Sequence, residues 1–162
     1  MTDFTDAFRQ TIERSYETLA QLTDEQVRRR PAPDKWSPIE ILGHLVDSAT
    51  NNHRRFILAH AQDHLRFDGY AQDDWVRLHD YQHADWAELL SLWRFYNLHL
   101  ARLMAITPAD LRLRTTTDHE FDRMAMRTVP AGTPSSLDYL MRDYVYHLEH
   151  HVRQIEGLVN GD

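Results

Sequence analysis

Ser37-Pro38-Ile39-Glu40-Ile41-Leu42-Gly43-His44-Leu45-Val46-Asp47-Ser48 reads as the opening of a long amphipathic helix. Ser37 is a residue type that caps helices, and Pro38 brings a fixed φ that suits the first helical position. Glu40 stands three residues on, where its carboxylate can reach back to the Ser37 backbone N–H. Beyond this cap, Leu42, Leu45, Val46, Ala49, His53 and Phe56 recur at helical spacing, and the pattern continues to about Ala61. A second start signal, Ser135-Ser136-Leu137-Asp138, opens a helix with the apolar face Leu137, Leu140, Met141, Tyr144, Val145, Leu148, Val152, Ile155 and Val159. Gly157 or Gly161 marks its end.

Two further helices lie around these. Phe4, Phe8, Ser15, Leu19 and Leu22 share one face of a first helix with Asp3 as N-cap. Trp86, Leu89, Leu90, Trp93, Tyr96, Asn97, Leu100 and Met104 define a third helix over about 84–106, stopped by Thr107-Pro108. Arg28-Arg29-Arg30 followed by Pro31-Ala32-Pro33 reads as a loop with solvated charge. The connection over roughly 62–82 is too long for a simple bundle loop, with a turn at Phe67–Tyr70 and a short helix about Asp73–Arg77. Segment 108–134 carries no periodicity beyond what a short turn or hairpin needs. The expectation is an all-α four-helix bundle, one domain over 1–162, with a long connection between helices 2 and 3.

Composition narrows the chemistry. The chain has 162 residues, 42% of them hydrophobic, which is enough for one substantial core. Its formal net charge of −7 argues against a general nucleic-acid or anionic-membrane binder. Without cysteine there is no thiolate ligand or nucleophile, so any metal must be held by nitrogen and oxygen. No glycine-rich phosphate loop, no basic leader with an apolar run and no stretch of 18 apolar residues occurs, so a cytoplasmic protein is expected.

The unusual count is eleven histidines. His147 and His151 stand one turn apart on a common flank of the last helix and can converge on one transition-metal ion. His150 turns further out, and the Glu of a zincin helix is missing. His44 flanks the apolar face of the second helix and could complete a three-nitrogen set for Zn²⁺, Ni²⁺ or Fe²⁺ with positions left open. On spacing alone, such a pair is more often two partly exposed histidines than a metal clamp. The remaining histidines have no converging spacing.

Lys35-Trp36-Ser37-Pro38-Ile39-Glu40-Ile41-Leu42-Gly43-His44-Leu45-Val46-Asp47-Ser48, taken with His147-Leu148-Glu149-His150-His151-Val152-Arg153-Gln154-Ile155, resembles the DinB-like superfamily along essentially the whole chain. The resemblance implies a four-helix bundle and a divalent metal, often nickel or zinc, held by His44, His147 and His151. Relatives in that superfamily include thiol-dependent transferases and YfiT-type hydrolases, so a metal-dependent enzyme acting on a small molecule is expected, with its substrate left open. Asn51, Asn52 and Arg55 are candidates to orient a polar or anionic substrate, and Tyr70 and Trp75 to close the mouth of the site. Ordinary packing explains each of these singly as well. Asp47, on the more exposed side of its helix, and Glu149 or His150 are weak candidates for a general base. The competing reading is a non-catalytic, metal-stabilised helical module able to form a homodimer.

Overall fold

A computed structural model describes residues 4–161; the expected N-cap Asp3 lies outside them. In chain order the helices are α1 (Phe4–Leu19), α2 (Asp24–Arg28), α3 (Pro38–Leu58), α4 (Gln72–His79), α5 (Trp86–Ile106), α6 (Ala109–Leu113), α7 (Phe121–Met124) and α8 (Leu137–Asn160). A 3-10 turn, Tyr81–His83, follows α4. Two short strands, β1 (Thr115–Thr116) and β2 (Ser135–Ser136), pair antiparallel with Thr115 opposite Ser136.

Four long helices build the bundle: α1 packs on α5 and α8, and α3 packs on the same two. The order around the bundle is therefore α1, α5, α3, α8. Helices consecutive in sequence, α1 with α3 and α5 with α8, sit across diagonals, so their connections must cross an end of the bundle. Phe8, Phe56, Trp93, Leu100, Met141, Leu148 and Ile155 fill the centre. Tyr144 stands edge-on to Phe8 and Phe56 and donates its hydroxyl to Asn97 Oδ1 at 2.5 Å, so its one polar atom is satisfied inside the core.

The caps form largely as the sequence predicts. The Ser37 N–H donates to Glu40 Oε2 at 2.8 Å. Arg30 adds a two-pronged pair to the same carboxylate, holding the proline-rich loop onto the start of α3. Ser136 caps α8 by accepting from the Tyr139 N–H, while Ser135 and Ser136 also form β2. Gly161 ends α8 at φ +80°, a conformation that favours glycine.

Several boundaries differ from expectation. α1 ends at Leu19, so Leu22 lies past it, and α3 ends at Leu58 rather than near Ala61. The segment after α1 contains α2, started by a capping box in which Thr23 and Gln26 exchange hydrogen bonds. Arg28 donates to the Gln82 and Ala84 carbonyls, so two of the three consecutive arginines serve the fold rather than solvent. The 108–134 segment is ordered by α6, β1 and α7. A parallel bridge between Leu65 and His119 ties it to the loop after α3. His119 donates to the Thr133 carbonyl and accepts from the Phe121 N–H, which occupies both of its ring nitrogens.

The N-terminal half of α3 is buried nearly all round, because α2, α4 and the 3-10 turn cover the sides that α5 and α8 leave free. This reverses the expectation for Asp47, which is 2% exposed. Among the described residues, no helix is long and apolar enough to cross a membrane.

Candidate metal centre

His44 comes from the buried half of α3, and His147 and His151 come from successive turns of α8, which packs against it. The three rings stack edge to face, with centroids 5.2 Å apart for His44 and His147, 4.9 Å for His44 and His151, and 4.6 Å for His147 and His151. One donor atom from each lies within 4.8 Å of the other two. His44 Nε2 and His147 Nε2 face each other at 3.3 Å. A tetrahedral zinc with bonds of about 2.0–2.1 Å sets its ligand nitrogens about 3.3–3.4 Å apart, so this separation suits a shared ion.

Protonation points the same way. Burial, with His151 nearby, lowers the His44 pKa to about 4. Burial and the neighbouring histidines lower that of His147 to about 3. His151 is also lowered, by burial first, against a raising hydrogen bond from Gln154. All three rings are therefore neutral near pH 7, the form that binds a cation. The His151 Nδ1–H donates to Gln154 Oε1 at 2.8 Å, which leaves Nε2 as its free donor atom. The Nδ1 atoms of His44 and His147 are buried, and among the described residues neither has a hydrogen-bond partner that would dictate its tautomer. Trp36 lies against His44 at 5.1 Å between centroids and limits its rotation.

A cavity of about 280 Å³ adjoins His44 and His147. One wall is a line along α3, His44, Ser48, Asn52 and Arg55. Opposite are Leu140, Asp143, Tyr144 and His147 of α8, and the two long connections close it with Tyr70 and Gln72 on one side and Arg123, Met124 and Met126 on the other. Asp143 accepts from the Met126 and Arg127 N–H groups, both at 2.8 Å, and so fixes the second connection against α8.

A sequence profile of the DinB superfamily matches residues 7–155. The chain belongs to the DinB superfamily. YfiT from Bacillus subtilis, described as a probable metal-dependent hydrolase with an unusual four-helix bundle topology, is similar in structure with a TM-score of 0.74. The match covers 98% of this chain and 87% of that one at 22% identity, which speaks to the fold alone. No curated protein matches this sequence.

In this superfamily member the structure brings Asn52, Arg55 and Tyr70 to the cavity beside His44 and His147. Asn51 instead turns its amide back to the Asp47 carbonyl at 2.9 Å. Trp75 stands edge-on behind Tyr70, at 5.1 Å between centroids, outside the lining. Of the candidate bases, Asp47 accepts from the Tyr81 hydroxyl at 2.7 Å and has His79 at 3.3 Å, while its Oδ2 is buried without a partner among the described residues. Burial raises its pKa, against lowering by Tyr81 and His79. Glu149 faces Thr11 of α1, His150 is exposed, and none of the three lines the cavity. Sequence reasoning missed Gln154 as the partner of His151. The signal was its spacing, one helical turn beyond that histidine.

Proposed function

We propose that His44, His147 and His151 hold one divalent metal ion and that this chain is a metal-dependent enzyme acting on a small molecule in the adjoining cavity. Hydrolysis is the favoured reaction. The observation that carries the reading is the convergence of three neutral imidazoles from two helices, two of which, His44 and His147, line a polar cavity. The description of YfiT as a probable metal-dependent hydrolase supports it through the shared fold.

A divalent ion in an open three-nitrogen site supplies Lewis acidity and lowers the pKa of water. The chain does the rest. Gln154 aims His151, and Trp36 limits the rotation of His44. The Tyr70 hydroxyl, its pKa pushed up to about 12 by burial and by Asp47, stays protonated and offers a hydrogen bond within the cavity. Iron and nickel fit the same nitrogen donors, so the donor set defines the class of ion rather than its identity.

The test is a panel of ester, amide and thiol-transfer substrates assayed before and after chelation. Turnover that disappears with chelation, returns with metal and is lost in His44→Ala supports the enzyme. Metal uptake with a raised melting temperature but no turnover on any of them would instead favour the non-catalytic, metal-stabilised module.

A further inference from the structure

Arg55 is 8% exposed and lines the cavity, yet among the described residues no carboxylate lies within ion-pair distance of it. The carboxylate of nearby Asp68 turns to Arg54, and Arg55 reaches only the Asp68 carbonyl at 3.2 Å and Asn52 Oδ1 at 3.5 Å. A buried guanidinium is costly unless an anion meets it. Burial accordingly lowers its pKa. Two of its five N–H donors are used by neutral oxygens, which leaves others for a ligand.

We propose that the cavity binds small molecules carrying a single carboxylate, gripped by Arg55 at the end of the cavity away from the histidines. One charge fits better than two. Arg123, the other arginine in the lining, is exposed and paired with Glu120, and Asp143 is held by backbone N–H groups and by Arg127, so among the described residues of the lining Arg55 supplies the uncompensated charge. A phosphate dianion at Arg55 would leave one charge unmatched.

Position adds a second constraint. His44, Ser48, Asn52 and Arg55 follow one another at four, four and three residues, so they share a face of α3. The α-carbons of His44 and Arg55 are about 16 Å apart along the axis. About three helical turns separate the two residues, so the proposal places the carboxylate and the group near the histidines on different parts of one molecule. A cavity of about 280 Å³ limits that molecule to a small one. The identity of the reacting end rests on the metal reading above; the carboxylate end does not.

The test is calorimetric titration of linear monocarboxylates from butyrate to octanoate and of their primary amides into chelator-treated and metal-loaded protein. The acids should bind roughly tenfold or more tighter than the amides in both forms, as a charge-assisted pair provides. Arg55→Met should abolish the preference while melting no lower than the wild type, because it removes an unpaired buried charge. Should that variant misfold, Arg55→Lys, which keeps the charge but loses the planar fork, should still reduce the preference by at least about threefold. The proposal is overturned if acids and amides bind alike, if neither binds, or if the preference survives these substitutions. Binding of acids through Arg55 by protein that takes up no metal would leave this proposal standing and remove the metal reading.

Discussion

Burial places the protonation of His44 and His147 far below the ordinary histidine range, near pH 4 and pH 3. In the unfolded chain both titrate near 6.5. Between these limits the unfolded state binds protons that the folded state refuses, so acidification favours unfolding. Above pH 6.5 both states are neutral at these positions and the effect vanishes. For metal-free protein, the urea midpoint should therefore fall as pH drops from 6.5 toward 4. The fall should be shallower in His147→Gln, which removes one of the two groups. Equal slopes in the two proteins would contradict the neutral-imidazole account. The same burial leaves both rings deprotonated and ready for a cation at pH 5, where exposed histidines are largely charged.

At the scale of elements, α3 is placed by a contact that involves no functional side chain. A Cβ on Gly43 would stand 2.1 Å from the Tyr81 ring, far inside van der Waals contact. The missing side chain lets Tyr81 lie flat on α3 and send its hydroxyl to Asp47. Gly43→Ala should destabilise the protein by about 1–3 kcal/mol, the usual range for overpacking. Gly157→Ala in α8, where nothing lies within 4 Å, should stabilise it by roughly 0.5–1 kcal/mol. Chemical denaturation of the pair separates crowding from helix propensity; a neutral Gly43→Ala would show that the 3-10 turn yields easily. The long helices were legible because the capping box at Ser37, the Ser136 cap, and apolar spacing over several turns act locally. α2, α6 and α7 have four or five residues each, too few for periodicity to show. Asp47 was misjudged because a helical wheel describes one helix, and the cover over that side comes from α4 and the 3-10 turn, thirty residues on.

At the scale of the whole molecule, the site lies where α3 meets α8, and both long connections close over it. The bridge between Leu65 and His119 joins those connections, with the Leu65 N–H donating to the Asp118 carbonyl at 2.9 Å. The three histidines were legible from spacing and resemblance because helices hold side chains in fixed register. The isolation of Arg55 was not, since it depends on which loop carboxylates fail to reach it. An ion shared by His44, His147 and His151 would clamp α3 to α8 and add stability in proportion to its binding. The most direct test of this account is anomalous scattering at the metal edge from crystals of protein purified without added metal. It predicts a single peak bonded to Nε2 of all three histidines, absent in His147→Ala. Crystals with no peak among those rings, or with a peak held elsewhere on the chain, would contradict it.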